Sequence, residues 1–313
     1  MSSGQKKIHG VITALVTPFR EDGSLDLNAF ERLIADQIEA GVSGVIPCGT
    51  TGESPTLRTE EKKTLIAESV RLCKASQTAV IAGTGSNSTS STVELSQWAS
   101  QAGVDAILVV TPYYNKPSPA GLLAHFTKVA DAVSCPVMLY NVPGRTGVSL
   151  PPETAAKLAA HPQIRFLKEA TGNVSLTSEF IDQFRVSGHG LDLFSGDDAT
   201  FLPLLAAGAK GVVSVASNLF PRAMVQIQRL FEAGKNTEAF ELHQRFYPLF
   251  RDLFIESNPV PIKAALAHVG EGAGTLLSSA VVRAPLAPLS PESRRKLESS
   301  LARCGFKPGG GTL

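Results

Sequence analysis

Ile164-Arg165-Phe166-Leu167-Lys168-Glu169-Ala170-Thr171-Gly172-Asn173 reads as one unit: a short apolar strand ending in a lysine, a polar turn with a glycine, then a helical pattern from Val174. Side chains alternate across a strand, so the spacing predicts Ile164, Phe166 and Lys168 on one face and Leu167 on the other. A lysine at the C-terminal end of a buried strand lies where α/β enzymes place their chemistry. Burial disfavours the charged form of an amine, and a neutral amine attacks a ketone to form a Schiff base. Spacing alone leaves a surface lysine at a strand end as the competing reading; the remainder of the chain decides between them.

The same strand-turn-helix unit recurs along the chain about every 20 to 35 residues. Apolar runs at Gly10–Val16, Gly44–Cys48, Ala79–Gly83, Ala106–Val110, Val137–Tyr140, Ile164–Lys168, Asp192–Ser195 and Gly211–Val215 predict strands. Helical patterns follow at Leu27–Ala40, Thr59–Lys74, Ser88–Gln101, Pro119–Val133, Pro152–Ala160, Val174–Val186, Asp198–Ala207 and Pro221–Glu232. Phe30, Leu33, Ile34 and Ile38 form the expected core stripe of the first, and Thr59 is the expected N-cap of the second, with Glu60 and Glu61 in its first turn. Near-continuous βα alternation predicts a (β/α)8 TIM barrel. A doubly wound open sheet is the alternative, and the lack of a phosphate fingerprint after the first strand speaks against it. Beyond Glu232 the pattern changes to three helices, Asn236–Ile255, Asn258–Val269 and Ser290–Cys304, before a glycine-containing tail over Gly305–Leu313 that is expected to fray. Residues 1–232 are therefore expected to form the catalytic barrel, and 233–313 a C-terminal helical appendage.

With 313 residues, 43% of them apolar, the chain fits one large α/β domain with an appendage. A net charge of +1 gives no electrostatic case for nucleic acid or an anionic membrane. No apolar run approaches a bilayer span, and the polar Met1 to Lys7 stretch lacks a signal-peptide core. Cys48, Cys73, Cys135 and Cys304 are scattered without CxxC spacing, which fits reduced thiols in the cytoplasm. His9, His125, His161, His189, His243 and His268 are isolated from one another, so no metal site is expected. The Gly83-Thr84-Gly85 loop lacks the third glycine of a dinucleotide fingerprint and reads as a strand-to-helix turn.

In such a barrel the C-terminal strand ends meet over one mouth. Strand two ends in Gly49-Thr50-Thr51-Gly52-Glu53, whose glycines allow a tight turn and whose hydroxyls and N–H groups suit a carboxylate. Strand four ends in Thr111-Pro112-Tyr113-Tyr114-Asn115, strand five in Tyr140-Asn141-Val142-Pro143-Gly144-Arg145-Thr146-Gly147, and strand seven in Ser195-Gly196-Asp197-Asp198. Three of the 4 tyrosines, Tyr113, Tyr114 and Tyr140, thus gather at the mouth. Lys210 opens strand eight and belongs to the opposite face, while Lys263 is expected on a helix surface. Together these parts suit capture of an α-keto acid: Thr50 and Thr51 on its carboxylate, Lys168 attacking its ketone, Tyr140 moving protons. None of this calls for a metal or organic cofactor.

These stretches resemble the signatures of the class I, Schiff-base aldolase superfamily of dihydrodipicolinate synthase and N-acetylneuraminate lyase, over nearly the whole chain from about Ile8 to beyond Lys263. The GTTGE loop, Pro112-Tyr113-Tyr114-Asn115 and Arg145 after the YNVP segment resemble the dihydrodipicolinate synthase branch. That resemblance implies a lyase of lysine and diaminopimelate biosynthesis, in which Lys168 forms an imine with pyruvate and the enamine attacks L-aspartate-4-semialdehyde. It further implies a proton relay of Tyr140, Thr50 and Tyr114, with Tyr114 donated across a subunit interface of a dimer paired into a homotetramer. Thr51 would bind the pyruvate carboxylate, Val213 and Gly196 would border its pocket, and Arg145 would hold the second substrate's carboxylate. Other pyruvate-dependent aldolases, acting on N-acetylneuraminate or 2-keto-3-deoxy sugar acids, are the alternative. Lysine-sensitive relatives carry histidines and a glutamate where this chain has Thr59, Lys62 and Ser91; only Asn87 and Tyr113 of that regulatory site remain, so weak or no inhibition by L-lysine is expected.

Overall fold

The computed structural model describes residues 6–269, 276–277 and 279–306. Eight parallel strands close into a barrel in sequence order, with β1 returning to pair with β8. They are β1 Gly10–Ala14, β2 Gly44–Ile46, β3 Ala79–Gly83, β4 Ala106–Val110, β5 Val137–Asn141, β6 Ile164–Glu169, β7 Asp192–Ser195 and β8 Gly211–Ser214. The helices are α1 Leu27–Ala40, α2 Thr59–Cys73, α3 Thr89–Gln101, α4 Pro119–Asp131, α5 Pro143–Thr146, α6 Pro152–Leu158, α7 Val174–Ser187, α8 Phe201–Ala206 and α9 Pro221–Glu232. After them come α10 Asn236–Asp252, α11 Val260–Val269 and α12 Pro291–Arg303. The architecture is the (β/α)8 barrel with C-terminal helices that the alternation predicts. The tail expected beyond Phe306, with its glycine run, lies outside the described residues.

Parallel strands with both faces covered need apolar residues at almost every position. Ile12, Ile46, Ile81, Leu108, Met138, Phe194 and Val213 fill the barrel interior. Their neighbours in sequence, among them Val11, Val45, Val80, Ile107, Leu139, Leu167 and Val212, pack outward beneath the helices.

Three local expectations are corrected. Ile164 does not share a face with Phe166 and Lys168: it packs in the outer core with Leu167. The β5–β6 register jumps from Val137↔Ile164 to Met138↔Phe166, so Arg165 is an extra residue in the ladder and inverts the alternation below it. Thr59 does not cap α2; Arg58 does, because the Glu61 carboxylate reaches back to accept from the Arg58 N–H at 2.9 Å. That carboxylate is itself gripped by both terminal nitrogens of Arg283 (2.6 and 2.8 Å), which holds its pKa down at about 2. On α1 the fully buried polar residue is Gln37, which accepts from the Thr13 hydroxyl, while Ile38 is only half-buried.

The helix expected at Asp198–Ala207 starts late, at Phe201. Asp198 turns inward instead, and one carboxylate oxygen accepts from the N–H groups of Val215 and Ala216 at 3.0 and 2.9 Å. Its burial pushes the carboxyl up to about 6. The C-terminal helices seat on this frame: α10 packs against α9 and α12, and α11 against α12. Asn258 and Phe254, from the segment between α10 and α11, reach the barrel mouth.

Candidate active site

Lys168 and Tyr140 face each other across the β5–β6 ladder as register partners. Both point into the barrel, each 5% exposed, and the lysine Nζ lies 4.1 Å from the centre of the phenol ring. Room for the lysine stem is made by Gly196, which follows β7. A methyl group there would sit 3.0 Å from Lys168 Cε and 2.5 Å from Ala170 Cβ, so any larger residue would displace the amine.

The loop after β2 brings the hydroxyls. It folds tightly over β3: a side chain at Gly83 would strike the Cys48 carbonyl oxygen at 2.3 Å, and Glu53 adopts a left-handed backbone with φ 55°. The Thr17 hydroxyl donates to the Gly52 carbonyl at 2.7 Å and so ties the loop to the segment that follows β1. Thr51 is buried, and its Oγ1 accepts from Asn258 Nδ2 at 2.9 Å. A hydroxyl that already accepts keeps its own hydrogen for another acceptor, such as a substrate carboxylate.

Lys263 is not the helix-surface lysine expected from the sequence. It is fully buried, its ammonium ion-paired with the equally buried Glu53 and donating to the Val281 carbonyl at 2.7 Å. Desolvation lowers its pKa to about 8, against the opposing pull of the Glu53 charge. The other Glu53 oxygen accepts from the Arg283 N–H at 2.9 Å. Both cations lie against the Phe19 ring, Lys263 Nζ at 4.1 Å and the Arg283 guanidinium at 4.3 Å from its centre. The C-terminal segment therefore fastens the end of the threonine loop.

Two adjoining cavities of about 240 Å³ each open at the mouth and share Thr50, Tyr140, Val142 and Arg145. The first contains Lys168, Thr51, Gly196 and Asn258; the second runs past Ser54, Pro55 and Tyr113. Of the residues singled out in the sequence, Lys168, Tyr140, Thr50, Thr51, Arg145 and Gly196 thus meet at one cavity. Val213 lies lower, within the barrel core, and Val215 lines the cavity instead. Tyr114 lines neither cavity and is 88% exposed, with a left-handed backbone at φ 74°. Asn87 and Tyr113 belong to neighbouring loops, joined where Asn115 Nδ2 donates to the Asn87 carbonyl at 2.8 Å.

The sequence reading missed Asn258, Asn141 and Glu169. Asn258 stands far along the chain in a Pro-rich segment, and only the fold brings it to Thr51. Asn141 and Glu169 carried a signal: polar residues next to Tyr140 and Lys168 on two strands otherwise built of apolar ones. An amine, a phenol and two hydroxyls around one cavity can bind a keto acid and convert its ketone to an imine.

The model of the dihydrodipicolinate synthetase family matches residues 7–304. A 4-hydroxy-tetrahydrodipicolinate synthase of Geotalea uraniireducens is 47% identical over 297 residues, covering 95% of this chain and 99% of its own. The solved 4-hydroxy-tetrahydrodipicolinate synthase of Methylacidiphilum fumariolicum SolV superposes with a TM-score of 0.90 at 45% identity, covering 96% of each chain. A chloride-inhibited dihydrodipicolinate synthase of Acinetobacter baumannii, complexed with pyruvate, has a TM-score of 0.89 at 40% identity, covering 96% of this chain and 99% of that one.

Proposed function

The chain belongs to the dihydrodipicolinate synthetase family, and we propose that it condenses pyruvate with L-aspartate-4-semialdehyde through an imine on Lys168. The observation that carries this reading is the Lys168 amine over the Tyr140 ring in the cavity that also holds Thr50 and Thr51. The amine adds to the pyruvate ketone, and the carbinolamine loses water to the imine. Loss of a methyl proton gives the enamine, whose carbon attacks the aldehyde. The amino group of the second substrate then displaces Lys168 and closes the ring of 4-hydroxy-tetrahydrodipicolinate. Tyr140, whose ring centre lies 4.1 Å from the amine, would carry protons, and Thr50 lines the same cavity. Residues 1–232 would form the catalytic barrel, and 233–313 the helical domain that covers its mouth with Phe254 and Asn258. No described helix is long and apolar enough to cross a membrane, and a cytoplasmic enzyme fits this reading. The test is a substrate panel: condensation with aspartate semialdehyde is expected to exceed cleavage of N-acetylneuraminate or 2-keto-3-deoxy sugar acids, and the reverse order would overturn the assignment.

Arg145 stands exposed on α5 at the junction of the two cavities. A guanidinium there suits the carboxylate of the second substrate, and a charge-assisted pair contributes about 1.5–3 kcal/mol. Arg145→Ala is expected to lower kcat/KM for aspartate semialdehyde roughly ten- to hundred-fold, with little change in pyruvate imine formation. Equal losses in both steps would assign Arg145 a structural role instead.

The exposed phenol of Tyr114, held on a left-handed backbone, suits donation to the site of a second copy, within a homotetramer built as a dimer of dimers. The regulatory residues are depleted: Lys62 is half-buried, with its pKa lowered by desolvation, and Ser91 is exposed. Two cations near 4 Å repel by about 4 kcal/mol at an effective dielectric of 20. Initial rates titrated with L-lysine at saturating pyruvate are expected to show no inhibition, or half-inhibition only in the millimolar range. Half-inhibition at tens of micromolar would show that Asn87 and Tyr113 suffice.

A further inference from the structure

We infer that Asn141 and Glu169 are positioning residues that lock the register of β5 on β6 and so hold Lys168 against Tyr140; the inference rests on the Schiff-base reading above. The two residues are register partners one step beyond the Tyr140–Lys168 pair. Both are buried, Asn141 at 0% and Glu169 at 1% exposure. Each end of the pair is engaged. Asn141 Nδ2 donates to Glu169 Oε2 at 2.7 Å, and Asn141 Oδ1 accepts from the Leu150 N–H at 2.9 Å. Glu169 Oε1 accepts from the Thr171 N–H at 2.6 Å. The Leu150 N–H fixes which end of the Asn141 amide faces the glutamate. Both Glu169 oxygens therefore receive N–H donors, the arrangement of a carboxylate, although burial raises its pKa.

The need for a lock comes from the other end of the same strand pair. The extra residue at Arg165 means that β5 and β6 have already lost simple pairing there. Side chains alternate with a period of two, so a slip by one residue would send Lys168 out of the barrel and Leu167 into it. Apolar strands resist slipping only through packing, whereas a buried amide–carboxylate pair fits one register alone. The same lock sets the cavity wall. Thr171 is held by Glu169 Oε1, and the backbone of Glu169 and Ala170 bonds to Gly196 N and Asn141 O at 2.7 and 3.0 Å.

The polarity of the pair can be inverted. In Glu169→Gln an NH2 group faces the Asn141 NH2, and in Asn141→Asp two carboxylates face each other. In the double variant the introduced aspartate would accept from the Leu150 N–H and from the amide of the introduced glutamine. The oxygen of that glutamine would still accept from the Thr171 N–H, so every bond is restored with the charge moved across. The measurement is borohydride trapping of pyruvate on the intact chain, read as both the rate and the end point of adduct at Lys168. Each single variant is expected to trap roughly a hundred-fold more slowly, since a misplacement near 1 Å costs about that much, while still reaching one adduct per chain. The double variant is expected to recover to within about tenfold of wild type, because the two substitutions are coupled. Single variants within about threefold of wild type, or a double variant as slow as the slower single, overturn the inference. A reduced end point at normal rate marks loss of folded protein rather than of positioning, and overturns it as well. Should a single variant yield no folded protein, Glu169→Asp carries the test, with a slow rate to a full end point supporting the lock and a wild-type rate refuting it. Absence of any Lys168 adduct in the wild-type chain would instead refute the Schiff-base reading itself.

Discussion

Replacing Lys168 by arginine is expected to lower kcat/KM at least a thousand-fold, on the order of the loss when a covalent nucleophile is removed. The substitution separates charge from nucleophilicity. Arginine keeps a cation within reach of the Tyr140 ring, where the lysine Nζ now lies 4.1 Å from its centre. It stays protonated and cannot form the imine. A lysine acting only as a charge would therefore be replaced well, and one acting as nucleophile would not. Pyruvate with borohydride should leave a reduced three-carbon adduct on the Lys168 peptide of the wild type and none on the variant. An adduct at Lys116 or Lys263, or turnover near wild type in Lys168→Arg, would contradict the assignment. Lys263 is a poor candidate on physical grounds, since its amine is already engaged by Glu53 and Val281.

The barrel was legible because its signal is periodic and local. Each strand is a short apolar run with a turn after it, and buried parallel strands must be so composed. Strand-end segments inherit that legibility, which is why Lys168, Tyr140, Thr50 and Thr51 stand out from the residues alone, whereas Arg145 and Gly196 lie in such segments but take their roles only from the family resemblance. What escaped depends on contacts distant in sequence. The Arg165 bulge is set by pairing with β5, and nothing within Ile164–Lys168 marks the residue that breaks alternation. Thr59 reads as a cap because hydroxyl residues usually are; Arg58 is the N-cap instead, and Arg283, more than two hundred residues away, helps to hold the Glu61 carboxylate that accepts from its N–H. The burial of Lys263 does have a signal in the sequence. The stretch from Val260 to Leu266 is apolar on every side except for the lysine, and a helix of that kind is buried. Its lysine then needs a buried anion, and the carboxylate at the end of the GTTGE loop is the one the fold supplies.

That pairing makes Lys263→Met the substitution with the largest expected effect on stability. Both side chains of the Lys263–Glu53 pair are 0% exposed. Removing the cation leaves Glu53 as a buried carboxylate with the Arg283 N–H on one oxygen and nothing to replace the ammonium on the other. Breaking a buried pair from one side costs about 3–5 kcal/mol, because the remaining charge is desolvated without compensation. At about 2–4 °C per kcal/mol for a chain approaching this size, the melting temperature should fall by roughly 6–20 °C. Methionine matches the lysine stem in length, so lost packing contributes little. The cycle that isolates the electrostatic part adds Glu53→Gln. With both charges removed, the double variant should regain much of the loss, since a neutral pair of similar volume is often as stable as the ion pair. Thermal melts of the wild type, both single variants and the double variant measure the coupling. Additive losses, with the double variant the least stable of the four, would show that Lys263 acts through packing against Phe19 rather than through the charge on Glu53. Turnover supplies a second reading of the same series. Glu53 ends the loop that carries Thr50 and Thr51, so loosening it should raise KM for pyruvate in Lys263→Met even at temperatures where the variant is fully folded.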